Sequence, residues 1–123
     1  MSKARVLVVD DAVVMRMMIK DILSKNGFEI VGEAQNGAEA VEKYKDLRPD
    51  VVTMDMVMPG VDGIAAVKQI VLQDPAAKIL MCTSLGQEAL LNEAMQAGAT
   101  SYITKPFQPS KILESIEKVL GRA

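Results

Sequence analysis

Near its start the chain reads Arg5-Val6-Leu7-Val8-Val9-Asp10-Asp11, an apolar run that ends in two acids. An apolar run of this length predicts a strand that is buried on both faces of a parallel sheet. The acids that follow it are then lifted out of the core, at the edge of the sheet where open α/β folds bind ligands. A second run, Asp50-Val51-Val52-Thr53-Met54, ends in Asp55 in the same way.

Two later apolar runs end in a hydroxyl and an amine. Residues 79–82 lead into Thr83, and residues 102–104 lead into Lys105. The four predicted strand ends therefore offer acids, a hydroxyl and a cation to one site. If the acids of the first two runs act together, their strands must be neighbours, and the helices that follow these strands must lie on opposite faces of the sheet.

Helical patterns fill the segments between the apolar runs. Apolar spacing and capping signals predict helices over residues 13–25, 36–47, 63–72, 87–97 and 109–120, with a weaker strand over residues 29–34. Strands that alternate with helices of this size predict an α/β fold, a doubly wound parallel sheet of five strands and five helices. We expect it to form one domain over residues 1–123.

Three of these helices carry more detailed signals. The first is predicted to bury an apolar stripe of Val14, Met15, Met18, Ile19, Ile22 and Leu23. Met17 lies off this stripe. Asn36 is the predicted cap of the second helix, with Glu39 three residues later, and Ser84 and Gln87 have the spacing of a capping box for the fourth.

The composition fits a folded domain of the cytoplasm. A chain of 123 residues, of which 50% are hydrophobic, can bury a core without disulfides. The single cysteine, Cys82, cannot form an internal disulfide and suits a reducing compartment. Since the start of the chain lacks a signal-peptide core and no run is long enough to span a membrane, we expect a mature cytoplasmic monomer.

Charge and residue usage argue against several classes of function. The net charge of -2 and the lack of a Lys/Arg run argue against nucleic-acid binding. The chain contains no histidine, which removes Ser/His and Cys/His nucleophile pairs and histidine-ligated zinc. A phosphoryl group used by this protein would therefore come from another molecule.

Three carboxylates that lie together need a positive partner. Within about 4 to 6 Å, Asp10, Asp11 and Asp55 would raise one another's pKa and destabilise the fold. Mg²⁺ takes one or two carboxylates and keeps waters that a phosphoryl group can replace, and Lys105 supplies a second positive charge. Because phosphoryl transfer depends mainly on positioning and charge neutralisation, the set predicts Asp55 as an acceptor assisted by the hydroxyl of Thr83.

Four motifs, taken in order, point to one family. They are Val8-Val9-Asp10-Asp11, residues 54–63 (Met-Asp-Met-Val-Met-Pro-Gly-Val-Asp-Gly), Cys82-Thr83-Ser84, and residues 102–107 (Tyr-Ile-Thr-Lys-Pro-Phe). Together they resemble the receiver domain of two-component response regulators across the whole chain. Gly86-Gln87 and residues 105–110 resemble the single-domain chemotaxis regulators of that family. The resemblance implies a flavodoxin-like sheet with strand order 2-1-3-4-5.

The resemblance also implies roles for the acidic residues. Asp55 would accept phosphate from a phosphohistidine on a sensor kinase, and a phosphatase would hasten its loss. Asp11 and Asp55 would bind Mg²⁺ through their side chains and Val57 through its backbone carbonyl, while Asp10 would act on the shell of the metal. Apart from reaction with small acyl phosphates and autodephosphorylation, no enzymatic activity is expected.

A switch and an output surface are implied as well. Lys105, joined to Pro106 by a cis peptide bond, would pair with the phosphoryl oxygens. Thr83 and Tyr102 would form the switch pair, in which the hydroxyl moves onto the phosphoryl group and the ring turns inward. The fourth helix, fifth strand and fifth helix would then bind a protein target, the flagellar motor switch in chemotaxis. With no DNA-binding or enzymatic domain after it, the chain is expected to act by protein contact.

Other functions stay open at this point. A phosphorelay intermediate, or an isolated receiver of a transcription regulator, would carry the same motifs. A small phosphatase with an aspartyl nucleophile usually has a second Asp two residues later, where this chain has Val57. A flavin or nucleotide module would share the fold, but no glycine-rich phosphate loop follows the first strand. Val57 and Leu85 lie at positions that tune water access in the family, so the phosphoryl lifetime is not predicted.

Overall fold

In the part of the chain that the structure describes, a parallel sheet of five strands lies between two layers of helices. The structure is a computed structural model that describes residues 3–58, 60, 62–106 and 108–121. Three residues of the quoted motifs, Pro59, Val61 and Phe107, lie outside that set. The elements are β1 (Arg5–Val9), α1 (Val13–Ser24), β2 (Glu29–Ala34), α2 (Gly37–Leu47), β3 (Val51–Asp55), α3 (Gly63–Gln73), β4 (Ile79–Thr83), α4 (Glu88–Ala97), β5 (Ser101–Thr104) and α5 (Pro109–Val119).

The strand order is β2-β1-β3-β4-β5, which confirms the predicted fold and the order that the resemblance implied. Because side chains alternate along a strand, Val6 and Val8 of β1 join the core under α1 and α5, while Leu7 and Val9 join the core under α2, α3 and α4. Burial on both faces explains why the central strands are apolar throughout. Among the described residues, no helix combines the length and apolarity needed to cross a membrane.

The helical connection that leaves β1 and the helical connection that enters β3 lie on opposite faces of the sheet. From β1 it runs through α1 on one face to β2, and from β2 it runs through α2 on the other face to β3. β1 and β3 are paired in parallel with Val9 opposite Met54. Asp10 and Asp55 come directly after this pair, so both acids leave the sheet at the same level.

The buried stripe of α1 is narrower than the sequence predicted. Ile19 and Leu23 are buried, but Val14 is 79% exposed and Met18 is 39% exposed, so the prediction that these two join the stripe is wrong. At about 100° per residue, Met18 and Val14 lie roughly 100° and 140° from Ile19 around the helix, beyond one buried face. Met17 is exposed, as its position off the stripe predicted.

The predicted capping signals differ in outcome. The side chain of Asn36 accepts a hydrogen bond from the backbone N–H of Glu39 (2.9 Å), which confirms the cap of α2. The predicted capping box before α4 is only half formed: Gln87 Oε1 accepts from the N–H of Ser84 (2.8 Å), but the N–H of Gln87 bonds to the backbone carbonyl of Ser84 (3.2 Å). The intervening turn uses Gly86 at φ 92°, so α4 begins at Glu88, one residue later than predicted.

Candidate functional site

The acids at the carboxyl ends of β1 and β3 converge at the edge of the sheet. Asp10, Asp11 and Asp55 each place a carboxylate oxygen within 4.8 Å of the others. Asp10 and Asp55 are buried, at 1% and 8% exposure, whereas Asp11 is exposed. The parallel register of β1 and β3 therefore joins residues far apart in the sequence into one acidic cluster, as the sequence predicted.

Lys105 neutralises part of this cluster. Its Nζ donates to Asp55 Oδ1 (2.9 Å) and to Asp10 Oδ2 (3.3 Å). The residue follows the end of β5, and the Lys105–Pro106 peptide bond is cis, as the resemblance implied. Lys105 is therefore a partly buried member of the site and not a solvated surface lysine.

Burial and ion pairing shift the pKa of Asp55, and likewise the pKa of Lys105, in opposite directions. Burial raises the pKa of Asp55, the hydrogen bond from Lys105 lowers it in part, and the charges of Asp10 and Asp11 add to the rise. For Lys105, burial works to lower the pKa, but the hydrogen bond and charge of Asp55 outweigh it and leave the pKa above its ordinary value. The ammonium is therefore held in its charged form beside the acids.

The residues of the cluster fit a hard divalent cation. Three carboxylates share the single positive charge of Lys105, so negative charge is left over for a second cation. The exposed Asp11 gives an ion access from solvent, and Val57, which is 52% exposed, lies two residues after Asp55 in the loop that follows β3. Oxygen donors open to water are the set that Mg²⁺ prefers.

The carboxylate of Asp55 is held through one oxygen. Oδ1 accepts from the backbone N–H of Met56 (2.9 Å) as well as from Lys105 (2.9 Å). None of the hydrogen bonds described for this residue uses Oδ2. A carboxylate that is fixed in this way keeps its second oxygen for attack on an electrophile.

Asp10 is held by partners that the sequence analysis missed. Its Oδ1 accepts from the N–H of Ala12 (2.9 Å), and its backbone carbonyl accepts from Arg16 Nη1 (2.6 Å). Arg16 is in turn paired with Glu33 of β2 (3.1 Å). The position of Arg16 one turn into a helix after the acids is a weak signal, because an arginine there more often faces solvent.

Thr83 and Tyr102 line one small cavity. Thr83 is 4% exposed at the end of β4, and its hydroxyl donates to Gln87 Oε1 (3.1 Å), a partner that sequence reasoning had assigned to capping alone. Tyr102 on β5 is 49% exposed. The cavity between them measures about 180 Å³ and is also lined by Leu91 of α4. The structure thus brings the two predicted switch residues to one place.

Gly63 allows α3 to begin directly behind Asp55. A Cβ at this position would lie 2.4 Å from the backbone oxygen of Asp55 and 2.9 Å from that of Met56. We expect Gly63→Ala to lower the free energy of unfolding by about 3 kcal/mol, because backbone atoms rather than a flexible side chain must move. Urea denaturation followed by circular dichroism measures this change.

Gly27→Ala is the matched control for that prediction. Gly27 has a left-handed φ of 88° but open space around its Cβ position, so its replacement should cost about 1 kcal/mol of backbone strain. Equal losses of stability in the two variants would contradict the steric role assigned to Gly63.

Known proteins match this arrangement over nearly the whole chain. Residues 6–117 match the response regulator receiver domain family. The chain is 58% identical over 115 residues to the chemotaxis protein CheY of Thermotoga maritima, covering 94% of this chain and 96% of the relative. It is 59% identical over 117 residues to the chemotaxis protein CheY of Bacillus subtilis, covering 95% and 98%.

Solved structures agree with the sequence relatives. The CheX–CheY–BeF₃–Mg²⁺ complex from Borrelia burgdorferi contains a chain that matches with a TM-score of 0.91 and 36% identity, covering 96% of this chain and 90% of that one. Sequence, strand order and the acidic edge of the sheet thus lead to the same place: the chain belongs to the response regulator receiver domain family and is a two-component signalling domain of the CheY type.

Proposed function

We propose that this receiver domain accepts a phosphoryl group on Asp55 from a phosphohistidine of a sensor kinase. The observation that carries the proposal is the acidic cluster with Lys105 at its centre, in which Asp55 combines burial with an oxygen, Oδ2, that none of the described hydrogen bonds uses. Asp10 is less suited as acceptor, because both its carboxylate oxygens have partners, Ala12 and Lys105.

The transfer exchanges one bond to phosphorus for another. Oδ2 of Asp55 attacks the phosphorus, the bond from phosphorus to the donor imidazole breaks, and its electron pair stays on the imidazole nitrogen. Lys105 neutralises charge on the phosphoryl oxygens as they approach. Asp11, Asp55 and the backbone carbonyl of Val57 would hold Mg²⁺, with Asp10 acting on the shell of the ion, and the bound ion would supply further positive charge to the phosphoryl oxygens.

The new charge shifts the domain between two conformations. An acyl phosphate carries about two negative charges in place of the one on the carboxylate, and the hydroxyl of Thr83 then moves from Gln87 to a phosphoryl oxygen. The ring of Tyr102 turns into the cavity of about 180 Å³ beside Thr83. A shift from 1:99 to 99:1 needs roughly 5.5 kcal/mol of differential interaction, which charge-assisted contacts of Thr83 and Lys105 with the phosphoryl group can supply together.

The output surface is formed by α4, β5 and α5. A groove of about 800 Å³ lies along β5 and α5, lined by Tyr102, Lys111, Glu114 and Lys118 among others. Its mixed charges and its aromatic ring suit a protein partner rather than a nucleic acid. Because the relatives are named chemotaxis proteins, we propose the flagellar motor switch as the target, with the domain acting as a cytoplasmic monomer.

A signalling role fits the site better than an enzymatic one. Burial raises the pKa of the Cys82 thiol to about 12, so this neighbouring group stays protonated and is a poor nucleophile at neutral pH. The residue two after Asp55 is Val57, which offers no acid for a second step of phosphoester hydrolysis. We propose that loss of the phosphoryl group is assisted by a separate phosphatase.

Beryllium fluoride with Mg²⁺ tests this function without a kinase. The fluoride complex mimics a phosphoryl group on a carboxylate, so we expect saturable shifts of the amide signals of Thr83, α4 and β5 in ¹H-¹⁵N NMR spectra. The shifts should require Mg²⁺. Asp11→Ala should weaken the apparent affinity by about ten-fold or more, because it removes a metal ligand.

Asp46→Ala supplies the matched control, since Asp46 is an exposed acid on α2. Its affinity for beryllium fluoride should equal that of the parent chain. Shifts of the same size without Mg²⁺, or an equal loss of affinity in the two variants, would contradict the proposed metal-assisted acceptor site.

A further inference from the structure

We infer that Gln87 is a positioning residue that holds the hydroxyl of Thr83 in its resting place and so opposes the switch. This inference rests on the proposed role of Thr83 in binding the phosphoryl group. It gives a role to Gln87, which the phosphoryl-transfer mechanism leaves without one.

The side chain of Gln87 folds back over the turn before α4. Its Oε1 accepts from Thr83 Oγ1 (3.1 Å) and from the N–H of Ser84 (2.8 Å). The backbone carbonyl of Gln87 accepts from the N–H of Leu91 (2.9 Å), the first hydrogen bond of α4. One residue thus joins the hydroxyl at the end of β4 to the start of α4, which belongs to the proposed output surface.

The hydroxyl of Thr83 depends on this contact in the resting protein. Thr83 is 4% exposed, and its other described acceptor is the carbonyl of Ser84 at 3.4 Å, near the limit for a hydrogen bond. Without the oxygen of Gln87, the buried hydroxyl would lose its better partner and raise the free energy of the resting conformation.

A hydroxyl has one proton, so Thr83 donates either to Gln87 or to the phosphoryl group. The phosphorylated conformation must therefore break the hydrogen bond to Gln87. Removing the acceptor destabilises the resting conformation and leaves the contact with the phosphoryl group in place. The equilibrium then moves toward the phosphorylated conformation, and the affinity for a phosphoryl mimic increases.

Gln87→Leu tests the inference, because leucine keeps much of the side-chain volume but has no acceptor. We expect it to bind beryllium fluoride with Mg²⁺ roughly three- to ten-fold more tightly than the parent chain, the range of one neutral hydrogen bond. NMR titration measures the affinity. Gln96→Leu, the same substitution at an exposed position in the last turn of α4, should leave it unchanged.

A double-mutant cycle with Thr83→Val separates the contact from other effects of the loop. In that background Gln87→Leu should change the affinity by no more than about a factor of two. Unchanged or weaker binding by Gln87→Leu in the parent chain, or the same gain in both backgrounds, would overturn the inference. Gln87→Ala repeats the test if the leucine variant does not fold.

The resting contact can also be measured without any phosphoryl mimic. Side-chain couplings of Thr83 should report one χ1 rotamer in the free parent protein and an averaged rotamer in Gln87→Leu. If the parent chain fails to bind beryllium fluoride, the proposed function is wrong, yet this measurement still decides whether Gln87 holds the hydroxyl. An identical fixed rotamer in both proteins would refute the holding role.

Discussion

Asp55→Asn is expected to abolish the uptake of acid-labile phosphate from a small acyl phosphate in the presence of Mg²⁺. The amide of asparagine is neutral and offers no nucleophilic carboxylate oxygen, although it keeps the size of the side chain. Asp10 is a poor substitute acceptor, because it is 1% exposed and bonds to Ala12 and Lys105 through its two carboxylate oxygens. Labelling with radioactive phosphate, followed by acid and base treatment, measures the loss.

Asp62→Asn is the matched control for this substitution. The side chain of Asp62 accepts from the N–H of Ala65 (3.0 Å) and caps α3, a role that asparagine performs as well. Labelling of this variant should equal that of the parent chain. Labelling that survives in Asp55→Asn at the parent level would move the acceptor to another residue, and Asp11, the exposed member of the cluster, would be the next to test.

Sequence reasoning located the site because the site depends on where strands end. The sequence patterns that predict β1 and β3 also place Asp10 and Asp55 at one edge of the sheet, and the parallel pairing of the two strands brings these acids side by side. The strand order could not be predicted in this way, because periodicity does not encode it. The resemblance to receiver domains supplied it. Lys105 was predicted from the sequence as a positive charge beside the three acids, and in the structure it bonds directly to Asp55 and Asp10.

What the sequence did not predict depends on distances between side chains. Arg16 reaches the carbonyl of Asp10, and Gln87 reaches the hydroxyl of Thr83, across loops whose shape is set by local turns. The Ser84–Gln87 spacing was correct as a pattern, but the backbone turn at Gly86 took the hydrogen bond that the serine hydroxyl would have accepted. Patterns of residue type cannot decide such competition between backbone and side chain.

Lys105→Met should lower the free energy of unfolding by about 3 kcal/mol at neutral pH without divalent cations, because it leaves two buried carboxylates without their ammonium. The side chains of Asp10 and Asp55 are 2% and 12% exposed, so water solvates their negative charges only weakly. Methionine keeps the apolar stem and most of the packing. Lys111→Met, at an exposed position of α5, should stay within about 0.5 kcal/mol of the parent chain.

The pH dependence of this loss of unfolding free energy, the stability deficit of Lys105→Met, shows whether charge is its cause. The pKa of Asp55 is already raised by burial, and loss of the Lys105 hydrogen bond raises it further. Since a raised pKa in the folded state penalises the ionised acid, the deficit of Lys105→Met should be full above that pKa. It should shrink as the pH falls through that pKa toward the unfolded pKa of about 4. Urea denaturation at several pH values, in EDTA, measures it.

The same substitution separates stability from signalling. Lys105→Met should still accept some phosphate on Asp55, because the nucleophile is intact. The variant has no ammonium at this position to stabilise the phosphorylated conformation. Its phosphate-dependent affinity for the target should fall even where Mg²⁺ restores the fold. An Asp55→Asn background should remove much of the stability deficit, because one of the two uncompensated charges is gone. A deficit that is independent of both pH and Asp55 would mean that Lys105 acts through packing, and the electrostatic account of the site would then be wrong.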